Sequence, residues 1–185
     1  GIPTVPLTTT SESWTDFSPR LGLTFKPADD LLLYATFSGG YKAGGFNGRP
    51  ATPDVARLAF DPEKLWAYEV GFKSDLMNRR IRLNGAAFFY DYKDMQLQAN
   101  DLVGTQTVQV IDNVGAAELW GVELDMQWLI AEGLTFYGSA AYLNAEYKET
   151  QEQITGVSLD SKLAKTPEWT ATAALEYRTM VLNGE

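Results

Sequence analysis

Apolar and polar residues alternate with a period of two along most of this chain. The alternation is clearest between Glu63 and Gln98. There Trp66, Tyr68, Val70 and Phe72 interleave with Ala67, Glu69, Gly71 and Lys73, and Ile81, Leu83, Gly85, Ala87 and Phe89 interleave with Arg82, Asn84 and Ala86. A β-strand sends successive side chains to opposite faces, so the pattern predicts two strands joined by a tight turn at Met77-Asn78-Arg79. The second strand reads on from Arg80 to Gln98 without a break, on the order of 60 Å at ~3.3 Å per residue. A strand tilted about 45° crosses a bilayer in ~9–11 residues. The hairpin is therefore long enough to cross a membrane and project beyond it.

The same period recurs on both sides of the hairpin. Residues 1–13, rich in Pro and Thr, read as a loop. A strand is predicted from Trp14 to Lys26, with Phe17, Leu21, Leu23 and Phe25 set against Ser18, Arg20, Gly22, Thr24 and Lys26. Pro27 to Asp30 carries turn residues. Leu31 to Lys42 follows as a strand, and Ala43 to Pro62, with Gly and Pro but no period, as a long connection. After an irregular link at Ala99 to Gly104, Thr105 to Leu129 sets Trp120, Val122, Leu124, Met126 and Trp128 against Gly121, Glu123, Asp125 and Gln127, with a bend or bulge expected near Asn113 to Ala116. A turn at Ala131 to Gly133, a strand from Leu134 to Lys148, a polar loop from Glu149 to Thr166 and a strand from Pro167 to Thr179 complete the reading, and Leu182 to Glu185 reads as the start of another turn. No helix is predicted.

The resulting fold class is all-β, an antiparallel up-and-down meander of about seven long strands. Its connections sort by end. The links near 27–30, 77–79, 131–133 and 182–185 are short, whereas 43–62, 99–104 and 149–166 are longer. Outer-membrane barrels sort their connections in this way, with short periplasmic turns and longer extracellular loops. An odd strand count does not close an ordinary bacterial barrel, so the chain is read as an internal segment of a larger one.

Composition narrows the chemistry. The 15 Lys and Arg against 24 Asp and Glu leave a net charge of −9, and no basic stripe is present, so no nucleic-acid partner is expected. No apolar run approaches the ~20 residues of a transmembrane helix, which leaves a barrel open because its strands keep hydropathy near neutral. With Cys 0 and His 0 there is no Ser-His-Asp or Cys-His system, no zinc site of the usual kind and no disulfide. The aromatics, 5 Trp, 9 Tyr and 9 Phe, suit either a bilayer interface or an aromatic-rich β core.

Several runs carry a resemblance. They are Phe17 to Thr24 (FSPRLGLT), Leu33 to Ser38 (LYATFS), Gly40 to Asn47 (GYKAGGFN), Glu63 to Lys73 (EKLWAYEVGFK), Ala86 to Gln96 (AAFFYDYKDMQ), Asn113 to Glu123 (NVGAAELWGVE) and Thr166 to Trp169 (TPEW). In this order and spacing they resemble the barrel of TonB-dependent outer-membrane receptors, over nearly the whole chain. The resemblance implies a 22-stranded transmembrane β-barrel in the outer membrane of a Gram-negative bacterium, closed by its own N-terminal plug domain. It implies energy-coupled uptake of a ferric siderophore or similar scarce nutrient, driven by the TonB complex. The chain matches residues 1–185 to a late part of such a barrel, without plug, TonB box or C-terminal strand.

The lipid bilayer, the plug, the TonB complex and a small ligand are thus the implied partners; no enzymatic activity, cofactor or metal site is expected. Tyr41, Lys42, Phe46, Asn47 and Arg49 are the candidate ligand-facing loop residues, since aromatics and cations suit anionic, ring-rich iron chelates. Packing of a Gly-rich loop is the alternative. Glu69, Lys73, Arg82, Glu123, Asp125, Gln127, Glu176 and Arg178 fall on the polar faces and form a candidate lumen lining, or a set of mutually paired, solvated charges. Trp66, Trp128 and Trp169 are either a membrane girdle or core aromatics. Trp66, Tyr68, Phe89, Tyr90 and Tyr92 are expected toward the outer rim and the Met77-Asn78-Arg79 turn toward the periplasm. A soluble β-barrel or sandwich binding small ligands, and a passive porin, are the other functional readings.

Overall fold

The computed structural model describes residues 9–48, 50, 52–103 and 106–179. Seven strands form one antiparallel sheet: β1 (Arg20–Ala28), β2 (Leu31–Lys42), then, past two short strands β3 (Gly45–Phe46) and β4 (Ala59–Phe60), β5 (Glu63–Leu76), β6 (Ile81–Val103), β7 (Gln106–Ala131), β8 (Leu134–Thr150) and β9 (Trp169–Tyr177). The sheet order is β1-β2-β5-β6-β7-β8-β9, each strand beside its neighbour in the chain, and β3 pairs with β4 separately. This is the up-and-down meander that the alternation predicts. The Leu182 to Glu185 turn lies outside the described residues.

Register fixes which side chains share a face. Leu23 pairs with Ala35, Ala35 with Val70, Val70 with Ala87, Ala87 with Val122, Val122 with Tyr142, and Tyr142 with Trp169. One row lower, Phe25, Leu33, Phe72, Gly85, Leu124, Ala140 and Ala171 follow the same path. A one-residue slip anywhere would turn a strand inside out. None occurs across these rows, so seven separate alternations combine into one apolar face.

That face is not covered. Leu23 is 66% exposed, Val70 57% and Leu175 68%. A soluble barrel or sandwich would pack these residues against an opposing layer. Among the described residues no layer packs against this face, and so large an apolar area left in water would drive association. The buried hydrophobic cluster lies elsewhere, at Val55, Ala99, Val108, Val110 and Val114 near the long-loop end, with Leu97 and Ile154 against it.

The turns at the other end are tight. Met77, Asn78 and Arg79 all take left-handed φ values of 51°, 54° and 64°, a conformation that Asn tolerates better than Met or Arg. Arg80 fastens this turn: its Nη2 donates to the carbonyls of Leu129 at 3.2 Å and Ile130 at 2.7 Å. Gly133 sits at φ 75° in the β7–β8 turn, and its carbonyl accepts the Arg178 N–H at 2.8 Å.

Strand ends differ from the sequence reading by a few residues throughout, as where β8 runs to Thr150 and β9 spans only Trp169–Tyr177, and the larger differences have physical causes. Strand β1 begins at Arg20 rather than Trp14, because Pro19 has no N–H to give a ladder; its carbonyl accepts the Gly39 N–H at 2.8 Å instead. Strand β1 runs through Pro27 to Ala28 with a register shift, leaving Asp29 and Asp30 as the turn. The irregular link at Ala99 to Gly104 is largely ladder, since Ala99 pairs with Val110 and Val103 with Gln106. A four-residue helix, α1 (Glu152–Thr155), and a 3-10 turn at Val55–Arg57 occupy the two long loops, where no helix was expected.

Candidate functional site at the long-loop end

Strands β6 and β7, at 23 and 26 residues, outrun their neighbours. Their pairing with β5 ends at Lys64–Lys93 and with β8 at Gly115–Thr150. Beyond these points Met95–Val103 pairs only with Gln106–Gly115, forming a two-stranded ribbon that extends roughly 30 Å at ~3.3 Å per residue. A bulge lies at its base. Two residues of β6, Lys93 and Asp94, face one of β7, and Val114 is the compensating extra residue of β7. Asp94 takes φ 55°, so the expected bend near Asn113 to Ala116 is shared by both strands.

A bare two-stranded ribbon is marginal in water. This one is held from the side by both long loops. Val55, fully buried, packs into the cluster of Ala99, Val108, Val110 and Val114, and Ile154 of α1 packs against the same cluster. Amide side chains complete the attachment. Asn113 Nδ2 donates to the carbonyls of Asp61 and Asp94, both at 2.8 Å, while its Oδ1 accepts the Asp61 N–H at 2.6 Å. Gln96, directly across from Asn113, donates to the carbonyls of Ala43 and Asp61 at 3.0 Å, and its N–H is taken by Glu63 Oε2 at 2.9 Å. The described residues of 43–63, the ribbon and α1 therefore form one lobe. Gln96 and Asn113 carry no local sequence signal, because their partners lie 35 and 52 residues away.

The candidate loop residues fall into this lobe and its foot. Tyr41 and Lys42 are the last residues of β2, exposed, and paired with Lys64 and Glu63. Phe46 is half-buried and meets Trp14 with ring centroids 6.2 Å apart. Asn47 is only 9% exposed, and its Oδ1 accepts the Ile111 N–H of the ribbon at 2.7 Å. Arg49 lies outside the described residues. Near this foot Asp16 meets Lys64 at 3.2 Å. That ammonium and the Phe17 N–H hold the Asp16 carboxyl below the usual carboxylate range.

The polar face carries the other candidates. Glu69 and Glu123 lie toward the long-loop half of the sheet, opposite Phe88 and Ala86 of β6. Lys73, Arg82, Asp125 and Gln127 gather toward the tight turns. Arg82 binds Asp75 at 2.9 Å. A recess of about 380 Å³ is lined there by Arg82, Asp125, Gln127, Tyr137 and Thr172, and another of about 490 Å³ by Lys26, Asp30, Lys73 and Arg82. Glu176 accepts from Tyr137 Oη at 3.2 Å and pairs with Arg178. Tyr90 and Tyr92 lie at the long-loop end on this polar face, opposite Ala67 and Leu65.

The apolar face has two aromatic margins. Toward the long loops, Phe37, Tyr68, Phe89 and Trp120 stand in one cross-strand row. Phe37 stacks on Trp66 at 5.4 Å, and Trp120, Tyr142 and Trp169 continue the belt at 5.4 and 4.8 Å. Toward the tight turns stand Trp128, Phe136 and Tyr177. From Trp120 to Trp128 is about nine residues, the span a tilted strand needs to cross a bilayer. One row above the upper belt the same face becomes charged. Asp91, Glu118 and Glu146 lie side by side, with Lys93 3.3 Å from Asp91 and Lys148 3.2 and 3.0 Å from Glu118 and Glu146. The Asn144 amide and the Lys148 ammonium lower the Glu146 carboxyl, and the two carboxylates raise Lys148.

A charge-free outer band between aromatic belts, a polar opposite face, tight turns below and long segments above define the wall of a transmembrane β-barrel. A family model described as TonB dependent receptor-like, beta-barrel matches residues 2–184, and the chain belongs to that family. Among curated relatives, the metal-pseudopaline receptor CntO of Pseudomonas aeruginosa is 27% identical over 169 residues, 90% of this chain and 22% of the relative. The pesticin receptor of Yersinia enterocolitica is 31% identical over 133 residues, 72% of this chain and 19% of the relative. Among solved structures, the ferric yersiniabactin uptake receptor FyuA from Yersinia pestis superposes with a TM-score of 0.68 at 24% identity, over 89% of this chain and 23% of that one. The chain thus spans about a fifth of the length of the curated relatives it matches, 22% and 19%. The family is one of outer-membrane transport receptors, not enzymes.

Proposed function

We propose that this chain forms wall and extracellular lobe of a plugged receptor that captures a scarce chelated nutrient, such as a ferric siderophore, for energy-coupled uptake. The observation that carries the reading is the two-faced sheet surmounted by a clamped lobe, within a family of transport receptors. Relatives named for metal-pseudopaline and ferric yersiniabactin support a metal chelate as the class of ligand. In this reading Lys42, exposed at the top of β2 on the polar face, turns toward the ligand, Tyr41 beside it borders the same rim on the opposite face, and Phe46 and Asn47 anchor the loop that follows. Glu69, Lys73, Arg82, Glu123, Asp125, Gln127, Glu176 and Arg178 line the lumen and face the plug. The plug and the TonB complex act through parts of the protein outside residues 1–185.

The test is binding of ferric chelates to the full-length receptor and growth on defined iron sources. Tyr41→Ala with Lys42→Ala weakens chelate binding while leaving the folded barrel intact. Uptake that persists undiminished without the TonB complex would favour the passive-porin reading.

A further inference from the structure

The sequence holds three Asn-Gly pairs, at 47–48, 84–85 and 183–184, and the first two lie among the described residues. Such a pair is chemically labile, because a glycine amide nitrogen meets little hindrance as it attacks the side chain before it. The attack needs a backbone free to turn. Asn84-Gly85 has no such freedom. Asn84 pairs with Lys73 of β5 and with Asp125 of β7, so the ladder holds it from both sides. A Cβ on Gly85 would come within 2.5 Å of the Phe72 ring, so packing calls for that glycine. Asn47-Gly48 differs on each count. Gly48 is exposed and lies outside any strand. Its φ is not left-handed, and nothing stands within 4 Å of where a Cβ would be. Neither packing nor backbone conformation calls for glycine there.

What restrains this pair is the Asn47 side chain. It is buried, and its Oδ1 accepts the Ile111 N–H of the ribbon at 2.7 Å. That bond fixes the carbon that the Gly48 nitrogen must reach, and burial keeps out the water that completes the reaction. Both restraints vanish when the lobe opens, since Asn47 belongs to the loop and Ile111 to the ribbon.

We propose that Asn47 is a self-modification site, guarded by the closed lobe, whose deamidation loosens the ribbon's hold on the loop. The Gly48 nitrogen bonds to Asn47 Cγ, and the side-chain nitrogen leaves with the Gly48 proton as ammonia. Water then opens the succinimide ring, chiefly to isoaspartate, so that one water is consumed and one ammonia released. Isoaspartate runs the main chain through the former side chain and takes the acceptor away from Ile111, which weakens the contact. The step is independent of the ligand transported. The test follows the full-length receptor in mild detergent at mildly alkaline pH, with deamidation read by peptide mass spectrometry and isoaspartate by enzymatic methylation. Asn47 is expected to react measurably in the folded receptor, at least tenfold more slowly than in the peptide cut from it, while Asn84 stays intact. Val55→Ala, which opens the lobe, is expected to speed the folded-state reaction at least tenfold. Gly48→Ala is expected to slow it about tenfold in receptor and peptide alike. Receptor carrying isoaspartate at 47 is expected to be cut by protease within 43–62 at least tenfold faster than unmodified receptor. Asn47 as inert as Asn84, equal rates in folded receptor and peptide, a rate unmoved by Val55→Ala, or modified receptor as protease-resistant as unmodified would each overturn the proposal. Should Val55→Ala fail to fold, Gln96→Leu takes its place: a faster reaction at Asn47 supports the guarded site, and an unchanged rate refutes it.

Discussion

Val55 offers a direct probe of the extracellular lobe. It is fully buried, and it belongs to a 3-10 turn packed into the cluster with Ala99, Val108, Val110 and Val114. Val55→Ala removes two methyl groups. At about 0.8 kcal/mol per buried carbon that is ~1.6 kcal/mol, and an incompletely collapsed cavity brings it to about 2 kcal/mol. If the lobe opens as a unit, 2 kcal/mol multiplies its open population roughly 30-fold. The assay is amide hydrogen exchange on the full-length receptor under conditions where reclosing outpaces exchange. The informative amides are Ile111, bound to Asn47, Gln96, bound to Glu63, and Asp61, bound to Asn113. All three are expected to exchange about 30-fold faster by this estimate, while Val70 and Val122 keep their rates. Acceleration at Asp61 alone would show that loop and ribbon open separately. Equal acceleration at Val70 would show that the lobe and the wall unfold together. Either outcome refutes the account of a separate cooperative lobe.

Other expectations follow from the same structure. Gln96→Leu removes the amide that holds the carbonyls of Ala43 and Asp61, so protease cleavage within 43–62 of the folded receptor rises about tenfold, for a cost of ~1–2 kcal/mol. Leu124→Arg destabilises folding into vesicles by ~2–4 kcal/mol, whereas Asp125→Arg, one residue along and on the polar face, costs under about 1 kcal/mol in a urea titration. The Asp16 carboxyl, depressed by Lys64 and the Phe17 N–H, is expected to titrate below the ordinary aspartate range in a carbon-detected NMR experiment. A depressed carboxylate contributes stability above its unfolded pKa and loses it as pH falls through its folded pKa. The contact is therefore expected to stay closed at neutral pH and to open only in acid, and Lys64→Gln moves the titration back toward the ordinary value.

The sheet was legible because each strand is two-faced. Trp120, Val122, Leu124, Met126 and Trp128 cannot share a face except in a strand, and the turn at Met77-Asn78-Arg79 joins two such runs. The errors fell where distant contacts decide. Asn100 and Asp101 look like turn residues, yet they stay in the ladder because Gln109 and Val108 pair with them. Helix α1 has four residues, too few to show a helical period. Pro19 interrupts an otherwise good alternation, and only its missing N–H moves the start of β1 to Arg20.

The site was less legible than the wall. Tyr41 and Lys42 are exposed, whereas Asn47 is committed to the ribbon, and a composition argument cannot tell the two apart. The clamp of Gln96 and Asn113 depends on partners brought together by strand pairing, so no local window contains it. The bulge was visible on β7, through Asn113 to Ala116, but its counterpart at Lys93 and Asp94 required the register.

The central claim is that one face of this sheet meets lipid and the other water. Nitroxide labels placed singly at positions 120 to 128 of β7 in the full-length receptor, reconstituted in bilayers, test it most directly. Collision with oxygen is expected to peak at 122, 124 and 126, and collision with a water-soluble nickel chelate at 121, 123, 125 and 127. An alternation of opposite phase, or none at all, would contradict it.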